Sequence, residues 1–442
     1  MMIKDLPSFF LLVALFCSYI GSIFPQTDIW EPTGGPSGQS IHALATNNAG
    51  TLFAGSWVAY GQIFRSTDNG DHWQQVTNWP AQHSVWSLLV TPAQDIFAST
   101  NGGAGIYIST DNGDTWLPAS SGLTTNSVNA IAINDSGYLF AATDSGMFRS
   151  TDRGENWVEI NTGLPSPYAQ IVLTVDVDSN NYVFIGTFGN GIFRSTNNGD
   201  SWEEKNNGVT QLFINSIRVH PDGSLFAAPE TGSGVYRSTD SGESWQFFAT
   251  GLPVWENTYV LTIAPNGHIL AGLSDGGVFI SYDNGESWSD YSSGFTSSHV
   301  YALTTNHLGY AFAGVGTAGV FRTINPITGI NGENPVTGVK NFELYQNFPN
   351  PFNPETQITF RIPQWSTSDF PKETGGLVEL VVFDLLGREV KTLLRGNVAA
   401  GYYSVSWNGT DHAGKAVQSG IYLYRLVVGN RYRATKKMVL LR

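Results

Sequence analysis

Short apolar or alternating runs, each closed by Gly, Asn or Asp, recur from Ile41 to Thr323. Runs of this length and punctuation predict strands joined by tight turns rather than helices. One stretch shows the layout. Val128–Ile133 (VNAIAI) reads as a first strand, Asn134–Gly137 (NDSG) as a turn and Tyr138–Ala142 (YLFAA) as a second strand. A loop then leads to a third strand at Met147–Ser150, and after another turn Trp157 opens a fourth. The same four-part text restarts at Ile41, Val85, Leu173, Ile214, Val260 and Val300.

The turn between the third and fourth strands carries an octapeptide, Ser-x-Asp-x-Gly-x-x-Trp. It stands at Ser66–Trp73, Ser109–Trp116, Ser150–Trp157, Ser238–Trp245 and Ser281–Trp288, and at Ser195–Trp202 with Asn197 in place of Asp. Trp73, Trp116, Trp157, Trp202, Trp245 and Trp288 step by 43, 41, 45, 43 and 43 residues. A strand-rich repeat of about 40–45 residues predicts propeller blades of four strands. The seventh unit, Val300–Thr323, ends after its third strand, and the segment Thr27–Gly34 places Trp30 43 residues before Trp73. The N-terminal segment is therefore expected to supply the last strand of blade seven and close the ring.

Within the octapeptide, Gly at the fifth position suits a positive φ. Asp68, Asp111, Asp152, Asn197, Asp240 and Asp283 are placed to accept turn N–H groups, and the Ser hydroxyl to satisfy another local group. The Trp is a large apolar plug. Five acids and one Asn at the same position of equivalent turns argue for a folding device rather than a catalytic site.

These octapeptides resemble the Asp-box, or BNR, repeat of sialidases and other propeller families, over about 300 residues. The resemblance implies boxes on the face away from the ligand site. It does not imply sialidase activity. Arg65, Arg149, Arg194, Arg237 and Arg322 share one repeat position before the box Ser or its equivalent Thr323, leaving only Arg153 and Arg218 between residues 27 and 323. The three convergent arginines of sialidases cannot be assembled from that set. Phe360–Pro363 (FRIP) matches a sialidase motif but lies after the propeller and reads as the end of a strand. Xyloglucan hydrolases resemble a pair of such propellers with a cleft between them, whereas a photosystem II assembly factor is a single, non-catalytic one, the precedent nearer to this chain.

Loops between second and third strands, and connections between blades, emerge on one face. That face collects Trp57, Tyr60, Asn101, Asp144, Phe188, Asn190, Glu230 and Asp275, with Trp79, His83, Tyr168, Trp255, Glu256 and His299 from the connections. Exposed aromatics on loops mark recognition surfaces, although the same rings also serve to plug a channel. Trp57, Tyr60, Trp79, Tyr168, Phe188, Trp255, Glu256 and His299 are the candidate ligand contacts. Asp144, Glu230 and Asp275 are candidates for an acid and nucleophile or base pair, should the domain be a glycoside hydrolase. The histidines show no short metal-ligand spacing, Asp176–Asn180 lacks the Gly and the closing acid of a calcium loop, and no nucleophile elbow or phosphate loop occurs. No metal or cofactor is expected.

Charge divides the chain. Residues 342–442 hold 12 Lys/Arg and 8 Asp/Glu, while residues 1–341 hold 10 and 28. An acidic propeller repels phosphate backbones, which argues against nucleic-acid binding. Lys4, the apolar run Phe9–Ile20 and the small pair Gly21-Ser22 read as a secretory signal within residues 1–26, too short to span a bilayer. The only cysteine, Cys17, falls inside it, so the mature chain has no disulfide.

Residues 324–341 form a Gly/Pro/Asn linker. Beyond it, strand-like runs at Gln357–Ile362, Val378–Asp384, Glu389–Leu394, Tyr402–Trp407, Ile421–Val428 and Lys436–Leu441 predict a small Ig-like sandwich. Leu344–Pro354 (LYQNFPNPFNP), Val382–Gly387 (VFDLLG), Gly401–Gly409, Gly420–Arg425 and Lys437–Arg442 (KMVLLR) resemble the C-terminal sorting domain of type IX secretion in Gram-negative bacteria. That resemblance implies passage across the outer membrane and handling by a sortase through residues 342–442. The expectation is an all-β, monomeric, secreted or surface-displayed seven-bladed propeller over 27–323 that binds a polysaccharide or surface protein.

Overall fold

A computed structural model describes residues 28–57, 61–81, 83–165, 171–306, 308–327, 343–344, 347, 350–362, 377–397, 401–429 and 432–441. The expected signal segment and most of the linker lie outside them. Every regular element among the described residues is a β-strand. Seven four-stranded antiparallel sheets follow one another from Trp30 to Thr323. Six are built from consecutive strands. The seventh takes its outer strand from Trp30–Pro32, which pairs antiparallel with Gly319–Thr323 in the register Trp30 to Thr323. The first strands, Ile41–Thr46, Ser84–Val90, Val128–Ile133, Val172–Val177, Ile214–Val219, Thr258–Ile263 and Val300–Thr305, each touch the next, and the last touches the first. The chain is a closed seven-bladed propeller.

The middle strands dictate how blades stack. Second strands such as Leu52–Ser56, Leu139–Thr143 and Ala311–Val315 are buried at every residue, because neighbouring blades cover both of their faces. Fully buried phenylalanines on these strands pack beneath the box glycine of the following blade. The closest approaches are Phe97 under Gly154 and Phe226 under Gly285, where a Cβ on the glycine would lie 2.8 Å from the ring. The box glycine is thus required by contact as well as by its φ of +86° or +84°.

All six boxes share one hydrogen-bond pattern. In the third, Gly154 N–H donates to Ser150 Oγ (2.8 Å), that hydroxyl donates to Asp152 Oδ1 (2.8 Å), and the same oxygen accepts Asn156 N–H (2.9 Å). Asn197 substitutes for Asp without loss of the pattern, accepting from Ser195 Oγ and Ser201 N–H. The residue before each glycine is also left-handed: Asn69, Asn112, Arg153, Asn198, Ser241 and Asn284 have φ of 56–60°. The repeated Arg of the third strand reaches into the next blade's box. Arg149 Nη1, for example, donates to the Asn198 carbonyl (2.7 Å) and to Asp200 (2.8 Å).

The C-terminal strands form two sheets, one of Glu343–Leu344, Thr356–Ile362 and Gly401–Trp407. The other is ordered 389–397, 377–383, 420–428, 432–440. Trp407, Tyr424, Phe360, Leu380, Leu426 and Met438 fill the space between the sheets, giving the expected Ig-like sandwich.

Candidate functional site

A β-bulge near the start of each first strand turns one residue toward the central channel, because the ladder to the second strand skips it in all seven blades. The residue before it is fully buried between blades in all seven strands (Ile41, Val85, Val128, Val172, Ile214, Thr258, Val300). The bulged residue faces inward. These inward positions are His42, Trp86, Asn129, Leu173, Asn215, Tyr259 and Tyr301, and they line a cavity of about 750 Å³. They lie at the strand starts, so the cavity opens on the face that carries the second-to-third-strand loops and the blade connections.

The mouth is two-sided. Tyr259 meets Tyr301 edge-on (5.8 Å, 78°), and Tyr301 stacks on His42 (4.2 Å, 16°). Trp57 and Trp86 flank His42 at 5.2 and 5.3 Å. This row of rings spans blades six, seven, one and two. Trp57 and Tyr259 remain 51% and 41% exposed, so their faces are open to a ligand. Burial lowers the His42 imidazole to about 4, which keeps it neutral near pH 7, and its Nε2 lies 3.1 Å from Ser40 Oγ. The opposite side is lined by Asn215 and by the buried Asn129, whose Nδ2 donates to Asp144 Oδ1 (2.9 Å) and to the Val172 carbonyl (3.0 Å). Deeper in the channel, Asp176 accepts Val177 and Val219 N–H groups at 2.9 Å. Burial pushes its carboxyl up, with Arg218 opposing. Arg218 Nη1 donates to the Ile217 carbonyl (2.6 Å).

The candidates read from sequence fall in different places. Trp57 is on the mouth itself. Asp144 adjoins it, accepting from Asn129 Nδ2 (2.9 Å). Burial raises the pKa of the Tyr259 hydroxyl, with Tyr301 and the Glu230 carboxylate adding to the shift. Asp275 accepts from Ser298 Oγ and lies 3.5 Å from His299 Nδ1, while the His299 ring is 6.2 Å from that of Tyr301. These three acids belong to blades three, five and six, and no hydrogen bond links any two of them among the described residues. Phe188 forms an edge-on pair with Phe213 (4.7 Å, 88°). Trp255, 91% exposed, holds a left-handed φ of 82°. Glu256 beside it is fixed by Ser233 and Ser274. Trp79 is half-buried, its ring edge-on to Tyr107 and Trp116 against the blade core. Tyr60 and Tyr168 lie outside the described residues. Sequence reasoning missed Trp86, Tyr259 and Tyr301, and it weighed His42 only among histidines that lack metal-ligand spacing. Their signal was present: a large or polar side chain directly after the fully buried Ile, Val or Thr near the start of each first strand.

A model of the DUF6242 beta propeller domain matches residues 37–187, and one of the FlgD Ig-like domain matches residues 371–431. No curated protein matches. Among solved structures, PorZ, an essential bacterial surface component of the type IX secretion system of Porphyromonas gingivalis, is 14% identical with a TM-score of 0.53, covering 92% of this chain and 60% of PorZ. The extracellular domain of BT3049, a putative hybrid two-component system of B. thetaiotaomicron, is 15% identical with a TM-score of 0.56, covering 93% of this chain and 57% of its own. YCF48 from Cyanidioschyzon merolae is 14% identical (TM-score 0.54; 67% of this chain, 99% of that one). YCF48 bound to D1 peptide is 16% identical (TM-score 0.56; 67% and 97%). The chain thus spans about 60% of PorZ and of the BT3049 domain. At these identities the likeness is one of fold.

Proposed function

We propose that this chain is an exported, surface-displayed propeller that binds an extracellular ligand, a polysaccharide or surface protein, without transforming it. The observation that carries this is the open channel mouth, where Trp57, Trp86, His42, Tyr301 and Tyr259 make a continuous aromatic wall opposite Asn215 and the exposed Asp144, which Asn129 holds. Aromatic faces beside a few polar groups suit a ligand with apolar faces and polar edges. That PorZ is a surface component, that the BT3049 domain is extracellular and that YCF48 has been solved with a peptide favours binding on this fold. The octapeptides are assigned as Asp boxes, and Trp255, Phe188, Glu256 and His299 as outer contacts of the same face. Retention of the purified chain on a panel of immobilised polysaccharides and peptides, compared with Tyr259→Ala, is the test.

Residues 1–26 act as the signal peptide, 27–323 as the binding domain, 324–341 as a linker and 342–442 as the type IX sorting tail. Deleting 342–442 traps the propeller in the periplasm; surface display of the truncated form would refute this. One observation favours a hydrolase instead: Asp144, Glu230 and Asp275 all adjoin mouth residues. Release of reducing ends that is lost in Asp144→Ala/Asp275→Ala would establish that reading.

A further inference from the structure

Charge is sorted by face in this propeller, and the sorting deepens the binding assignment, on which it rests. The described residues 28–327 contain eight Lys and Arg. Seven are committed to the box face or the outer strands: Arg65, Arg149, Arg194, Arg237 and Arg322 reach adjacent boxes, Arg153 pairs with Asp95 (2.6 Å), and Lys205 pairs with Glu203 and Glu243. The eighth, Arg218, lies deep in the channel beside Asp176. The mouth face carries Asp144, Glu230, Glu256 and Asp275, and among the described residues none of them meets a Lys or Arg. The basic side chains there among the described residues are histidines: His42, held neutral by burial, His83, and His299, whose Nδ1 lies 3.5 Å from Asp275.

We infer that the mouth takes a cationic side chain, a lysine or arginine on an extended polypeptide segment, seated against Tyr259, Tyr301 and Trp57 with Glu230 as its counter-charge. Aromatic faces attract a cation through their quadrupole. The rim acids, which meet no Lys or Arg among the described residues, add a field of the matching sign. A neutral glycan would use the rings and leave that charge pattern without purpose.

The test uses the full-length protein and three fluorescein-labelled dodecapeptides of alternating Gly and Lys, Gly and Gln, or Gly and Glu, read by anisotropy. The Lys peptide is expected to bind and to weaken with salt, and the Gln and Glu peptides to bind at least tenfold less well. Tyr259→Leu should weaken Lys-peptide binding about 2- to 30-fold, and Glu230→Gln about threefold or more. Asp135→Asn, which removes the same charge from a turn on the opposite face, should leave binding unchanged. Equal losses in Glu230→Gln and Asp135→Asn would reduce the effect to net charge and overturn the inference. Retention of a neutral polysaccharide that depends on Tyr259, with no preference for Lys over Gln, would also overturn it while leaving the binding site in place. No ligand of either kind sensitive to Tyr259 would remove both.

Discussion

Ser150 shows how much one hydroxyl can decide. It is 1% exposed, accepts the Gly154 N–H and donates to Asp152, and the other five box serines do the same. Removing it leaves a buried N–H without a partner, so Ser150→Ala should cost about 1–3 kcal/mol, read as a lowered thermal midpoint. Two histidines set a pH dependence. Burial lowers His42 to about 4, and burial with His220 nearby lowers His268 to about 3, against 6.5 when free. The unfolded chain therefore binds more protons, and stability falls as pH drops below 6.5, levelling off near 3. The carboxylates lowered from 3.8 or 4.5 lose their contribution only below those values, and Asp176, pushed up by burial, acts in the opposite sense. His268→Gln should flatten the melting profile between pH 6.5 and 4. A profile as steep as the parent's would contradict the assignment. At this scale the box was legible in the sequence because its bonds span four residues. The left-handed residue before each glycine was half legible, since four of the six are Asn and Arg153 and Ser241 are not.

Trp157 belongs to the scale of elements. It is 3% exposed and its Nε1 donates to the Ala119 carbonyl of the preceding blade (2.8 Å). Its backbone N–H donates to Ser121 (2.8 Å), beside Gly122, whose Cβ would fall 2.2 Å from the Trp157 carbonyl. Trp30 repeats the arrangement across the chain closure, donating from its N–H to Ser293 and from Nε1 to Tyr291. Trp157→Ala should cost roughly 3–5 kcal/mol, and a melting shift of a degree or two would contradict its role as an inter-blade plug. Strand order and closure were readable because each blade repeats the same text and Trp30 supplies the seventh Trp at the same step. What the text could not give is which side chains cross between blades. Ile108 interrupts the arginine series in blade two, and Arg153 pairs with Asp95 across that junction in the reverse sense. The packing of Trp79 was out of reach for the same reason, since only the fold reveals Trp116 and Tyr107 beside it.

The whole molecule separates a face that carries the boxes from a face that carries the channel mouth. Boxes, their arginines and most ion pairs occupy one end of the blades, and the open mouth with acids that meet no Lys or Arg among the described residues occupies the other. The composition recorded the acidity of residues 1–341 but not its sorting, because sorting depends on which loop of each blade carries the acid. The mouth was legible only in part. Loop residues such as Trp57 could be assigned to the correct face, whereas Tyr259 and Tyr301 look like ordinary strand residues until the ring closes around them. The most direct measurement is equilibrium binding of the full-length protein to ligands selected from a polysaccharide and peptide panel, set against a Tyr259→Ala/Tyr301→Ala variant whose melting midpoint is recorded alongside. Affinity reduced at least tenfold, with the fold retained and the ligand recovered unaltered, is the predicted result. Undiminished binding by that folded variant, or cleavage of the ligand by the parent, would contradict a non-catalytic binding site at the channel mouth.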